Sequence, residues 1–506
     1  MKRNIYNPYL PSYEYVPDGE PHVFGDRIYI YGSHDRFGGK VYCENDYVCW
    51  SAPIFDLSDW KYEGIIYKKI QDPENRNGKH QMYAPDVVYG IDGRYYLYYG
   101  LDFMNRIAVA VCDSPAGKYE FYGEVRYKDG TAYGKRKKEK FRFDPGVLAD
   151  EDGRIWLYTG FCPQRKYMQL GLGLIGVHCD AVGNQVVELE QDMVTVKSEP
   201  RTLIPGASAS RGTGFEGHEF YEASSIRKFN GKYYFIYSSV LSHELVYAVS
   251  DFPDKDFVFG GILHSNANIG FNGETEALYY WGNNHGSVEK IDGKYYVFGH
   301  RQTNQNEQCR QGIAEQIRMG RDGRFEMAEM TSAGLNGGIL PEHGSFEAGI
   351  ACVLYGKKGA CKTVMPKRER ILHPYITQQG ADREDSPGQY ITNISDGTVI
   401  GYKYFYIAEK RKILSLVVSK AGKQEVHGKF IVSIKRTFSD ILAEIVVEAV
   451  NKERTAVIRI DLPEGKHPLY FKYIGSGRTN LWEFSLEAEK EGERYGYKES
   501  IIENDN

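Results

Sequence analysis

GRYYLYY, residues 93–99, reads as a turn feeding a strand: a glycine and a basic residue, then five aromatic or aliphatic side chains suited to a pleated, buried surface. The same text recurs as DRIYIYG at 26–32, GRIWLYT at 153–159, GKYYFIY at 231–237 and GKYYVFG at 293–299. The basic residues Arg27, Arg94, Arg154, Lys232 and Lys294 are spaced by about 60 to 78 residues, enough for one four-stranded sheet per unit. A single such unit cannot close a core, whereas radial repetition about an axis leaves only short protected edges. Five repeats predict an all-β, five-bladed β-propeller over residues 1–320. No capped 3.6-residue apolar stripe interrupts the region, so helices should be minor. A β-sandwich of recurrent hairpins is the competing arrangement.

The chain has 506 residues, too many for one typical core, and its 42% hydrophobic and 26% charged content is that of an ordinary globular protein. A net charge of −5 gives no electrostatic reason to bind nucleic acid or an anionic membrane. The basic run Lys135–Lys138 is interrupted by Glu139 and reads as a solvated loop. The start, MKRNIYNPYLPSYEY, lacks an apolar signal core, and no 18-residue apolar run follows, so a cytoplasmic protein is expected. Eight cysteines without CxxC spacing are expected to be reduced thiols rather than zinc ligands.

Counting back eight to ten residues from each basic marker lands on Asp18, Asp86, Asp144, Glu222 and His285. Singly, each has a bland explanation: VPDGEP around Asp18 is a turn signal, and Glu222 could be a surface acid. In register, radial repetition brings all five to one mouth of the propeller. Crowded buried carboxylates cost free energy and raise the pKa of at least one of them, so their convergence points to an active site. Several acids in an aromatic-rich concavity, without a nucleophile elbow, phosphate loop or metal motif, suit glycosidic bond cleavage. That reaction needs one protonated carboxyl and one ionised carboxylate.

In order along the chain, NPYLPSYEYVPDGEPHVFGDRIYIYGSHD, MYAPDVVY, FDPGVLADEDGRIWLYTG, FYEASSIRKFNGKYYFIYS and NNHGSVEKIDGKYYVFGHR resemble the motifs of glycoside hydrolase family 43 over residues 5–320. The resemblance implies hydrolysis with inversion of arabinofuranosides, xylosides or related glycans, so the partner is an oligosaccharide. It makes Asp18 the general base, Glu222 the general acid and Asp144 the carboxylate that tunes the acid. Asp86, His285 and Arg310 become substrate-binding or site-shaping residues, and His285 also stands near a central calcium; no organic cofactor is implied. Two points depart from the family pattern or compete with it. Pro17-Asp18-Gly19 replaces the family's usual Pro-Asp-Pro, and Glu219 is a rival acid three residues before Glu222. A non-catalytic carbohydrate-binding propeller is the alternative from another class, and a retaining fructosidase a smaller rival that fits the Asp144 and Glu222 motifs poorly.

Beyond residue 320 the repeats stop. Residues 321–360 read as a Gly-rich bridge, and 361–506 as short alternating strands of a jelly-roll-like β-sandwich. This second domain supports the propeller, or binds carbohydrate through Tyr402, Tyr404 or Trp482. The sugar, the choice between exo and endo cleavage, and the oligomeric state are not legible in the text.

Overall fold

The computed structural model describes residues 6–382, 388–448, 453–489 and 502–503. Its first nineteen strands form five antiparallel sheets, each following chain order. Blade I holds β1 (Glu20–Phe24), β2 (Arg27–Tyr31), β3 (Tyr47–Pro53) and β4 (Lys61–Tyr67). Blade II holds β5 (Met82–Tyr89), β6 (Tyr95–Leu101), β7 (Ile107–Cys112) and β8 (Glu120–Glu124). Blade III holds β9 (Gly146–Ala149), β10 (Ile155–Thr159), β11 (Gly183–Leu189) and β12 (Arg201–Pro205). Blade IV holds β13 (Phe220–Phe229), β14 (Lys232–Ser239), β15 (Glu244–Ser250) and β16 (Val258–Ser265). Blade V has three strands, β17 (Val288–Ile291), β18 (Lys294–Thr303) and β19 (Asn306–Ile317). The aromatic repeats are the second strand of every blade.

Why those strands are apolar without alternation follows from the packing. Side chains of successive residues point to opposite faces, and in a ring of blades both faces are covered. Leu97 and Tyr99 enter the cluster shared with blade I, whereas Tyr96 and Tyr98 enter the one shared with blade III. Trp156 and Tyr158 pack with Phe220 and Phe235 of blade IV, and Tyr234 and Ile236 with Val288 and Val297 of blade V. Phe298 and Ala314 meet Ile28 and Ile30, which closes the ring between blades V and I. Each fully buried side chain of this size contributes about 1.5–3 kcal/mol. Tyrosine serves here because its ring fills a seam while its hydroxyl ties down a loop: Tyr98 donates to the Met193 carbonyl at 2.6 Å and Tyr158 to that of Pro253 at 2.7 Å.

The ring is also latched by polar contacts. A parallel bridge pairs Gly19 with Gly286 at the axis. Outside blade V, Asn7 behaves as a surrogate strand: Ala314 N–H donates to its Oδ1 at 2.9 Å, while its Nδ2 donates to the Ala314 carbonyl at 3.2 Å and to Glu315 at 2.8 Å.

The second domain comprises β20 (Gly344–Glu347), β21 (Val353–Tyr355), β22 (Tyr375–Gln378), β23 (Gln389–Ile394), β24 (Val399–Ile407), β25 (Arg411–Lys420), β26 (His427–Ser433), β27 (Ala443–Glu448), β28 (Arg454–Asp461), β29 (Gly465–Ser476), β30 (Thr479–Ala488) and β31 (Ile502–Glu503). One sheet runs β22-β23-β30-β25-β28-β31 with β20 beside β30, and the other β21-β24-β29-β26-β27. The stretch read as a bridge is therefore partly sandwich. Phe346 on β20 and Val353 on β21 are buried in its core, whose surrounding Gly-rich text hid two short strands. That core continues into the propeller through Tyr6, Leu278, Tyr279, Ile313 and Met330. Buried Arg301 of β18 donates to the carbonyls of Gly349 at 2.8 Å and Ala351 at 3.2 Å. No helix among the described residues is long and apolar enough to cross a membrane.

Candidate active site

Asp18 and Asp144 each stand two residues ahead of an inner strand, β1 and β9, with positive φ of 56° and 44°. Asp and Asn tolerate that left-handed region better than most residues, because a short polar side chain can hydrogen-bond locally. Glu222 lies within β13, between two register shifts against β14, and the bulge turns its carboxyl toward the axis. Ala223, next to it, takes φ 70°, a strained value for alanine, and its amide donates to Asp144 Oδ2 at 3.1 Å. This tie is close because residue 146 is glycine: a Cβ there would meet the Ser224 carbonyl oxygen at 2.6 Å. His285 precedes β17, its Nδ1 3.8 Å from both Asp18 Oδ1 and Asp144 Oδ2.

Arg310 on β19 donates through Nη1 to Asp18 at 2.9 Å, and through Nε and Nη2 to Asp35 at 2.8 and 3.0 Å. His300 Nδ1 lies 3.2 Å from Asp18 Oδ1 and 3.3 Å from the Asp18 amide. Burial pushes the Asp18 carboxyl up, yet Arg310, the hydrogen bond to His300 and the nearby imidazoles outweigh it and hold the group well below the usual carboxylate range. Glu222 behaves oppositely: burial and the charge of Asp18, opposed only in part by Arg310, push it up to about 7. Asp144 is raised well above its ordinary value by burial and by the charges of Glu222 and Asp18. Burial lowers His285 to about 4, so its ring is neutral at physiological pH. Aromatic side chains flank the acids: Tyr83 packs on Phe143, Phe143 on Phe161, and Phe161 on Tyr221.

Four of the six residues singled out from the sequence, Asp18, Asp144, Glu222 and His285, thus come together at the axis, while the surroundings of Asp86 and Arg310 differ from those expected. Asp86 is fully buried within β5, where Oδ1 meets His22 Nε2 at 2.7 Å and Oδ2 accepts the Val147 amide at 2.8 Å. Both oxygens are used, so Asp86 ties blade II to blade III instead of presenting a face to substrate. Arg310, expected to bind substrate or shape the site, is buried, and its guanidinium is committed to two carboxylates. Glu219 accepts from Ser210 Oγ at 2.9 Å and the Gly217 amide at 3.0 Å, which leaves it with the neighbouring loop rather than with the axial acids. Tyr402 is fully buried, Tyr404 donates to Glu329 at 2.8 Å, and Trp482 stacks on Tyr390 at 3.9 Å between ring centres. The first two are core and interface residues, which removes them as glycan platforms.

Sequence reading missed Asp35 and Glu20. Asp35 ends the SHD that follows the first aromatic repeat, as His300 follows the last, and that parallel was the available signal. Deeper in the axis Glu20, His22 and Asp86 place ligand atoms within 4.8 Å of one another, the one group of metal-type donors among the described residues. Glu20 Oε2 accepts from Arg227 at 2.8 Å and from Ser225 at 3.1 Å, while its buried Oε1 has no hydrogen-bond partner. Two carboxylates and an imidazole nitrogen arranged in this way do not fit a hard cation such as calcium: His22 Nε2 is bonded to Asp86, Asp86 also accepts the Val147 amide, and Arg227 already pairs with Glu20. His285 does not belong to this group; its Nδ1 faces the upper acids.

A propeller that gathers one carboxyl held low and another raised toward neutrality at its axis has the kinds of group that glycosidic bond cleavage uses. The model of the glycosyl hydrolases family 43 matches residues 11–325. The chain is 46% identical over 491 residues, 96% of its length and 99% of the relative's, to a xylosidase/arabinosidase of Thermoclostridium stercorarium. A second xylosidase/arabinosidase, from Bacteroides ovatus, is 30% identical over 314 residues, 58% of this chain and 87% of that one. Among solved structures, a family 43 β-xylosidase/α-arabinofuranosidase from a compost microbial metagenome, bound to xylotriose in a calcium-free form, has the same fold at a TM-score of 0.50 and 23% identity, over 64% of this chain and 97% of that one. The chain belongs to glycoside hydrolase family 43, and it is a glycosidase.

Proposed function

We propose that the enzyme removes arabinofuranosyl or xylosyl residues from plant-type oligosaccharides with inversion at the anomeric carbon, Asp18 acting as base and Glu222 as acid. The observation that carries this is the contrast between two buried carboxyls on non-adjacent blades: Asp18 is held by Arg310 and His300, whereas Glu222 is crowded by the charge of Asp18. Arg310 and His300 hold Asp18 ionised, ready to take a proton from water, while Glu222 at about 7 retains one for the leaving oxygen. Blades I and IV are separated by blade V, which favours room for a water between base and anomeric carbon. Asp144, on the blade adjoining Glu222, accepts the Ala223 amide and so fixes the backbone beside the acid. The sugar class follows the relatives' activities.

A panel of aryl arabinofuranosides and xylosides, followed by proton NMR of the first-formed anomer, tests the reading. Release of the inverted sugar is expected. A retained anomer would overturn the water-activating role of Asp18, and turnover confined to other sugars would overturn the substrate class.

A further inference from the structure

The base is held by a part of the propeller that the sandwich domain grips. Asp35, which anchors Arg310, opens the irregular segment 35–45 between β2 and β3. Within it the Cys43 amide donates to Asp35 at 3.0 Å, and Tyr42 lies under the Arg310 guanidinium at 4.9 Å. Arg36, Gly38, Lys40 and Val41 are exposed, while Phe37 stacks on Tyr15 and Cys43 is buried. Further fixed points come from Asp382, which follows β22. Asp382 accepts the Phe37 amide at 2.7 Å and the Asn45 side-chain amide at 3.0 Å, and Asn45 donates in turn to the Asp35 carbonyl at 3.0 Å. The same sandwich edge holds the turn that leads into Arg310: Asn304 N–H donates to the Ile376 carbonyl at 2.7 Å, and Thr377 to Asn304 at 3.0 Å. Asn306 joins the two grips by donating to the Gly39 carbonyl at 3.1 Å.

We propose that Asp382 of the sandwich domain is a positioning residue for the catalytic base, acting through Asn45, Asp35 and Arg310 on Asp18. The physical reason is that Arg310 keeps Asp18 ionised only while it is fixed between two carboxylates, and one of those stands on a segment that the second domain ties down. The groups facing Asp18 are Arg310 of β19, His300 of β18, His285 ahead of β17, Asp144 ahead of β9, Glu222 of β13 and Tyr47 of β3, with Asp35 and Cys43 behind Arg310. Of these, only the Asp35–Arg310 pair is reached from Asp382.

The proposal rests on Asp18 being the base, and its test separates the two. In the full-length enzyme, Asp382→Asn sets an amide N–H against donors, and Asn45→Ala removes the same tie from the propeller side. Each is expected to lower kcat about tenfold and to move the acid limb of the kcat/KM profile upward by about half a pH unit or more, because a loosened Arg310 stabilises the Asp18 carboxylate less. The double variant should be no worse than either single one. An acid limb that stays where it was in both single variants would overturn the proposal, whatever happens to thermal stability. If Asp382→Asn does not fold, Asn45→Ala alone decides by the same limb. Asp18→Asn checks the underlying assignment: if it keeps activity, the base role falls, whereas an inactive Asp18→Asn with an unmoved limb in the tie variants removes the positioning role alone.

Discussion

Two acid clusters share the propeller axis and differ in what has been done to their charge. Strand β1 and its approach supply both: Asp18 to the upper cluster with Asp144 and Glu222, and Glu20 and His22 to the lower one with Asp86. In the lower cluster Arg227 pairs with Glu20, and Asp86 is capped by His22 and the Val147 amide. Only Glu20 Oε1 is left over, and burial pushes that carboxyl up to about 8 despite Arg227. In the upper cluster Arg310 donates, of the three acids, to Asp18, with its other nitrogens on Asp35, so Asp144 and Glu222 are left to repel. The lower arrangement holds blades together. The upper one stores an imbalance of protonation that a reaction can use.

The comparison breaks most visibly by mutating one acid from each level. Glu222→Gln and Asp18→Asn should each lower kcat by about 10³-fold or more on substrates with poor leaving groups, while Glu20→Gln stays within about tenfold, as steady-state kinetics on a natural disaccharide will show. Near-parental turnover by Glu222→Gln would remove the acid assignment. Next in size, Arg227→Ala leaves Glu20 and Asp86 buried without their cation. It should cost about 3–5 kcal/mol in denaturant unfolding with the pH profile of the folded fraction unmoved.

Asp144→Asn sharpens the contrast because activity and stability should part. The folded-state pKa values of Asp144 and Glu222 are raised, so the native protein binds more protons than the unfolded chain and stability is lost as pH rises, for Glu222 from about 4.5 through about 7 and for Asp144 in the same direction. Removing one of the two charges should raise Tm at pH 8 by about 2–4 °C, with little change at pH 4, while kcat drops about a hundredfold. A Tm that falls at pH 8 would contradict the repulsion. The activity profile itself should decline on its alkaline side near pH 7 as Glu222 loses its proton.

Much of this was legible in the text. Continuous aromatic strands at a fixed period already implied blades covered on both faces, and register carried Asp18, Asp144, Glu222 and His285 to the axis. The division of residues 321–360 was not legible, since two strands of four and three residues carry too little periodicity to stand out beside glycines. Nor was the fate of Asp86, which occupies the same register as Asp18, Asp144 and Glu222 yet has both oxygens filled by His22 and a backbone amide. The concern raised by Gly19 in place of proline resolves similarly: the segment is held by pairing with Gly286 and by Arg310, contacts that no local string reveals.

The sequence by itself determined the strands, the turns, the fivefold repeat and the positions at which acids meet, because those follow from local backbone preference and from a period. Tertiary structure alone decided which acid keeps its proton. Protonation depends on burial and on the nearest charges, and the charge that holds Asp18 ionised, Arg310, stands 292 residues away in the chain.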